Sequence, residues 1–193
     1  DHRDLHSFPT RRSSDLLKAE IAAQLSAFED ALGRAPDFID GHQHVHGLPG
    51  VREVFLEVIA ARYAGPVRPY VRVSGDMLAR IRARKLFAAK ALNVKMLSAG
   101  FADRVQALGF PANDGFAGFS DFDAGADYAA QFASYLVAPG PRHLVMCHPG
   151  YVDGELSTLD PVTGSREKEL AFLLSADFEA VCEKAGAKAG RMG

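Results

Sequence analysis

Of the seven histidines in this chain, His2 and His6 lie in a leader segment treated below, and the other five fall into two clusters. The first is Asp40-Gly41-His42-Gln43-His44-Val45-His46, in which histidine recurs at a spacing of two. If this run is extended, all three imidazoles and Asp40 lie on the same side of the backbone. On a buried face, adjacent imidazoles would carry unmet hydrogen bonds unless a metal, a carboxylate or water occupied the space between them. Imidazole together with carboxylate suits zinc or another divalent transition metal. A lone His-x-His would read equally well as a satisfied or solvent-exposed polar edge. Three alternating histidines behind an acid favour the metal.

The second cluster is His143-Leu144-Val145-Met146-Cys147-His148-Pro149-Gly150, an apolar run leading into His-Pro-Gly. His148 then sits at the carboxyl end of a strand, on a rigid element; alone it would read as a cap bonded to backbone. Cys147 alternates to the opposite side and reads as a small core residue rather than a nucleophile. His143 begins the strand and is expected at the surface. Arg68, in Val67-Arg68-Pro69, closes another predicted strand, and Arg166 with Glu169 lies in a polar stretch further on. Each of these taken singly fits a surface ion pair.

The elements that must hold these groups follow from apolar spacing. Ile21, Leu25, Phe28 and Leu32 mark one face of a helix over residues 18–32, ended near Gly33. A strand is expected over 37–45, and Gly47-Leu48-Pro49-Gly50 ends it and opens a helix, which puts the first cluster at a strand's carboxyl end, where α/β folds build their sites. A strand over 67–73 follows, then Ala/Arg/Lys/Leu-rich helix from Met77 to Leu92, continuing in pieces to Leu108, with a solvated basic face. Residues 113–127 read as loop, 128–136 as helix, 143–147 as a buried strand and 176–185 as a last helix. This alternation predicts a parallel α/β sheet or barrel in one domain, residues 17–193.

Composition narrows the function classes. A hydrophobic content of 48% and a length of 193 residues fit one globular domain. The formal net charge of −2 excludes the broad positive field that nucleic-acid binding requires. Cys147 and Cys182 stand far apart, so neither a disulfide framework nor a zinc knuckle is expected. No run of about eighteen apolar residues occurs, so no membrane association is expected, and the default compartment is the cytoplasm. Residues 1–16, DHRDLHSFPTRRSSDL, lack periodicity and resemble the conceptual translation of a sequencing adaptor. They read as a non-native leader, and the fold's earlier strands as missing before residue 17.

DFIDGHQHVHGLPGV and HLVMCHPGYVD, in this order and separation, resemble two signature blocks of the YdjC-like (ChbG/YdjC) carbohydrate deacetylases, which include chitooligosaccharide deacetylases. Weaker matches run through most of residues 18–180, among them the Val67-Arg68 strand end and Arg166-xx-Glu169-Leu170. The resemblance implies a partial, distorted (β/α) barrel with parallel strands, a divalent metal ion (magnesium or zinc) and an N-acetylated sugar as substrate. It implies His42 as metal ligand, His44 and His46 lining the same pocket, and His148 assisting the leaving group. Arg68 and Arg166 join His44 and His46 as candidate substrate-binding residues, and Asp40 joins His148 as a candidate catalytic residue. The family's N-terminal Asp-Asp block does not occur before Lys18, so the parent is expected to be active, this chain inactive, and its exposed strands prone to homo-oligomerisation.

For the parent, the expected reaction is metal-assisted hydrolysis of an acetamide: the metal polarises the acetyl carbonyl and activates a water. His148, protonated, would donate to the departing sugar amine, a step worth about 10²–10⁴-fold. Two alternatives stand beside it. One is a barrel metallohydrolase of the amidohydrolase type, which needs further downstream ligands; the other is a noncatalytic sugar-binding or metal-binding remnant.

Overall fold

The computed structural model describes residues 11–192. Asp1, His2 and His6 lie outside the described residues. In chain order the helices are α1 (Arg11–Leu32), α2 (Val51–Arg62), α3 (Leu78–Arg84), α4 (Ala88–Leu97), α5 (Phe101–Ala107), α6 (Tyr128–Tyr135), α7 (Leu156–Leu159), α8 (Gly164–Leu173) and α9 (Ala176–Lys184). The strands are β1 (Phe38–Ile39), β2 (Tyr70–Val71), β3 (Gly115–Ala117) and β4 (His143–Val145), and a 3₁₀ segment spans His42–Gly47. Residues 11–16, expected to be irregular, form the first turns of α1.

The chain divides into two compact units, and this mixed α/β architecture holds its strands in two small parallel pairs, with no closed barrel among the described residues. The first unit takes the chain up to Ser74 together with Met96–Ala112 and Met192. Its pair is β1 with β2, in register Phe38↔Tyr70 and Ile39↔Val71, and Val71 also bridges Ala112 in parallel. The apolar stripe of α1 meets α2 as its spacing predicts, but only its middle is buried: Leu25 joins the core, whereas Phe28 and Leu32 are exposed. Ile59, Val71, Val105 and Phe101 are buried completely or nearly so, and burying each such side chain contributes about 1.5–3 kcal/mol. Around the rim, Glu29 accepts from the Tyr63 hydroxyl at 2.7 Å and pairs with Arg62 at 2.5 Å, tying α1 to the end of α2.

The second unit takes Gly75–Lys95 and Asn113–Arg191. Here β3 pairs with β4 in register Gly115↔His143, Phe116↔Leu144 and Ala117↔Val145. Phe132 of α6, Phe172 of α8 and Phe178 of α9 form an aromatic core, with ring centroids 5.2 and 5.5 Å from Phe132. The basic run around α3 departs from the expectation of a wholly solvated face. Arg84 is 8% exposed; it pairs with Asp76 at 2.7 Å and donates to the Phe116 carbonyl at 2.9 Å. Asp76 in turn accepts from the Phe116 amide, so the pair clamps β3 from both sides of one residue. Burial of this pair is tolerable only because hydrogen bonds satisfy both charges. β3 itself, and α7 and α8, fall where loop or unassigned polar sequence was expected. No described helix is long and apolar enough to cross a membrane.

Candidate functional site: a histidine turn and a histidine strand

The strand expected through Val45 ends at Ile39, and the histidines that should have alternated along it lie in the 3₁₀ segment instead. The His44 amide donates to the Gly41 carbonyl at 3.1 Å, which closes the turn, and Gln43 and His44 adopt left-handed backbone angles, with φ of 51° and 65°. Such angles cost non-glycine residues free energy and persist only where surrounding contacts hold them. The three imidazoles consequently reach three environments rather than one face: His42 is exposed, His44 half-buried and His46 buried.

His46 is 3% exposed and wedged edge-on between Phe55 and Phe101, with ring centroids at 5.6 and 5.3 Å. Its Nδ1 accepts from the Gly41 amide at 3.0 Å, and its Nε2 faces the Arg72 carbonyl at 2.7 Å, so Nε2 carries the proton and both nitrogens are bonded to backbone. Desolvation is the main cause that lowers the His46 pKa, opposed in part by the bond to Arg72. Gly41 is required by this contact, because a Cβ there would stand 2.5 Å from His46 Nδ1.

One residue past β2, Arg72 is 5% exposed and organises the rest of the turn. Its Nε donates to Asp40 Oδ1 at 2.5 Å, its Nη2 pairs with the same carboxylate and donates to the Gly41 carbonyl at 2.9 Å, and its Nη1 reaches Ser74 Oγ at 2.7 Å and His44 Nδ1 at 2.6 Å. Ser74 Oγ is 3.0 Å from the same His44 nitrogen. Sequence reasoning passed over Arg72, although a charge flanked by Val71 and Val73 was a usable signal. Asp40, His44, Arg72 and Ser74 thus form one polar network, while Asp40 keeps 43% of its side chain exposed.

Arg68 is placed differently: it precedes β2, donates to the Gly65 carbonyl at 3.3 Å and stacks over Phe110, 5.1 Å from the ring centroid. It therefore stands at the amino end of the strand whose carboxyl end bears Arg72.

In the second unit, His148 follows β4 and is anchored through its backbone. Its amide donates at 2.5 Å to Glu169 Oε2, a carboxylate 2% exposed on α8, and its ring meets Phe122 edge-on at 5.0 Å. Arg166, one turn before Glu169, pairs with Asp160 at 2.5 Å and donates to the Val162 carbonyl at 2.7 Å. The Val162 amide and then Arg166 hold the Asp160 carboxyl below its usual range. Cys147 packs against the aromatic core, and burial raises its thiol, as suits a core residue. His143, expected at the surface, is half-buried, and its Nε2 bonds to the Tyr135 carbonyl at 3.0 Å. Of the aromatic residues that could stack on a sugar, Tyr63, Tyr70, Phe116 and Phe119 are core residues, whereas Tyr151 is 81% exposed three residues past His148.

No group of three or more His, Cys, Asp or Glu side chains among the described residues is arranged to hold a metal ion. The residues present do not make a metal centre by themselves: His46 has both nitrogens on backbone groups, and Asp40 is engaged by a guanidinium.

Comparison with known proteins bears on the identity of the chain. Carbohydrate deacetylase of Homo sapiens is 58% identical over 45 residues, 23% of this chain and 14% of that protein. Carbohydrate deacetylase of Mus musculus is 56% identical over the same length and shares. Carbohydrate deacetylase of Geobacillus stearothermophilus is 31% identical over 159 residues, 81% of this chain and 50% of that protein. The chain therefore spans half or less of each of these relatives. No solved structure matches it. The family model described as YdjC-like protein matches residues 2–184, nearly the whole chain, which therefore belongs to the YdjC-like family.

Proposed function

We propose that the protein acts as a carbohydrate deacetylase, a hydrolase that removes N-acetyl groups from sugars such as chitooligosaccharides. The observation that carries this reading is the network of Asp40, His44, Arg72 and Ser74 just past the ends of β1 and β2, in a chain whose relatives are named for that activity. Side chains fixed this way present polar groups without having to be ordered when a sugar arrives. In this reading His44, His46, Arg68 and Arg166 serve the substrate, His46 by holding the turn through its backbone contacts. His148, held at its backbone by Glu169, donates the proton that lets the sugar amine depart. Asp40, the proposed catalytic carboxylate, is bonded to Arg72 and keeps 43% of its side chain exposed.

A divalent metal, magnesium or zinc, belongs to the proposal through His42, the exposed imidazole of the turn. A full coordination shell would need donors from outside the described residues. For the fold of the whole protein we propose a distorted (β/α) barrel, of which short parallel strands joined by helices are the ingredients, and for its location the cytoplasm. Acetate release from N-acetylglucosamine oligomers by a protein extended to the length of its relatives tests the activity. Release that saturates with oligomer is expected; absence of release with the sugar still bound would make this a binding protein.

A further inference from the structure

Glu169 receives the His148 amide and also lines a small cavity within the second unit. The cavity has a volume of about 10 Å³ and is formed by residues of α6, α8 and the loop before α6. Tyr128 and Ser165 line it beside Glu169, which is 2% exposed. Ser165 is 7% exposed, and neither its Oγ nor the buried Tyr128 hydroxyl has a hydrogen-bond partner among the described residues. Burial pushes the Tyr128 pKa above its ordinary value, and the Cys147 thiol and the Glu169 carboxylate raise it further. The hydroxyl therefore keeps its proton and stands near that carboxylate without bonding to it. Elsewhere in the wall Gln131 and Ser120 are engaged with each other: Gln131 Nε2 donates to Ser120 Oγ at 3.2 Å and to the Tyr135 hydroxyl at 2.7 Å, and the same Ser120 Oγ accepts from the Phe122 amide at 2.9 Å. A buried hydroxyl left unbonded costs the full desolvation of that group, so the cavity calls for an occupant with both donors and acceptors. The charge of that occupant is constrained from both sides. The Glu169 carboxylate repels an anion, the Lys168 side chain in the same wall disfavours a cation, and the volume is what one water requires.

We propose that this cavity is a hydration site for one water molecule, which donates to Glu169, accepts from the Tyr128 hydroxyl and takes Ser165 Oγ as its third partner. Buried waters typically make about three such bonds to groups that would otherwise have none. Because Glu169 Oε2 accepts from the His148 amide at 2.5 Å, Tyr128 and Ser165 are positioning residues: they act through the water on the carboxylate, and through the carboxylate on the start of the loop after β4. The hydration site stands on the second unit alone and does not depend on the deacetylase reading.

Crystals of the whole 193-residue chain, soaked in rubidium chloride and measured at a resolution that orders solvent, test the occupant. One oxygen-sized peak is expected about 2.6–3.2 Å from Tyr128 Oη, Ser165 Oγ and a Glu169 oxygen, without anomalous signal. An empty cavity overturns the proposal, and rubidium at that position overturns it in favour of a monovalent cation. Tyr128→Phe supplies a test in solution that turns on a sign. With the hydroxyl bonded to water, its removal should raise the unfolding equilibrium constant in urea titrations by about fivefold, the worth of one net hydrogen bond. With the hydroxyl unbonded, the phenyl ring relieves a buried polar group, and a constant that falls or stays level overturns the proposal. Hydrogen exchange then separates positioning from general stability. In both Tyr128→Phe and Ser165→Ala the His148 amide should exchange about fivefold faster while the amides of α9 change less. Equal acceleration at His148 and along α9 overturns the positioning role.

Discussion

The two histidine regions solve the same problem in opposite ways. In the turn over residues 40–47, side chains do the organising: Arg72 binds Asp40, His44 and Ser74, and His46 fills a slot between Phe55 and Phe101. After β4, the His148 amide is held by a buried carboxylate on α8, and its ring meets Phe122. Several side chains share the hold on the turn, whereas one buried carboxylate receives the His148 amide. The turn is thus expected to tolerate change at its exposed edge and to fail at its close contacts, and the loop after β4 to depend on Glu169.

Glu169→Ala gives the largest effect expected from this contrast. Hydrogen bonds to charged groups contribute about 1.5–3 kcal/mol, so urea unfolding of the variant should show a loss near the upper part of that range, with the Gly150 segment more open to proteolysis. A loss confined to a few tenths would mean that the His148 amide has another acceptor and that the contrast is false. Gly41→Ala is next. With 2.5 Å between the new Cβ and His46 Nδ1, the ring must move, and overpacking of this kind costs about 1–3 kcal/mol. A fully stable variant would show that the turn is looser than its backbone angles indicate.

The smallest effect is one the two regions share. Burial lowers the pKa of both His46 and His143 from an ordinary value of 6.5. A histidine whose folded pKa is depressed binds a proton less readily in the folded chain than in the unfolded one. Its stabilisation is therefore present above pH 6.5 and lost as the pH falls through the lower folded values. Urea midpoints should decline between pH 7 and 5.5, by at most one proton per imidazole, and His143→Gln should reduce the slope without abolishing it. A midpoint that rises on acidification would contradict the assignment of both rings as neutral.

Much of this could be read in advance at the level of residue types. The clusters, the apolar stripe of α1, α2, α6, α9 and the strand at His143 follow from periodicity. The geometry of the first cluster did not, because alternation predicts one face only while the chain stays extended, and Gly41 lets it fold back on His46. β3 was hidden for a related reason: Gly115-Phe116-Ala117 sits in a Gly- and Asp-rich stretch that reads as loop, and it is a strand because β4 and the Asp76–Arg84 pair hold it. Buried charges were the signal least used. Arg72 was passed over, Arg84 fell in a run read as solvated and Glu169 fitted a surface ion pair, and each proves to hold a backbone segment. That role depends on tertiary partners more than thirty residues away for Arg72 and Arg84, so it has no local pattern.

We propose His42 as a metal holder and His148 as a proton donor, and a turnover-to-metal comparison tests these two assignments most directly. In a protein of the relatives' length, His148→Ala should lower acetate release by about 10²–10⁴-fold while bound divalent metal stays near one-to-one, and His42→Ala should lose metal and activity together. Equal losses of metal and turnover in both variants would contradict the account.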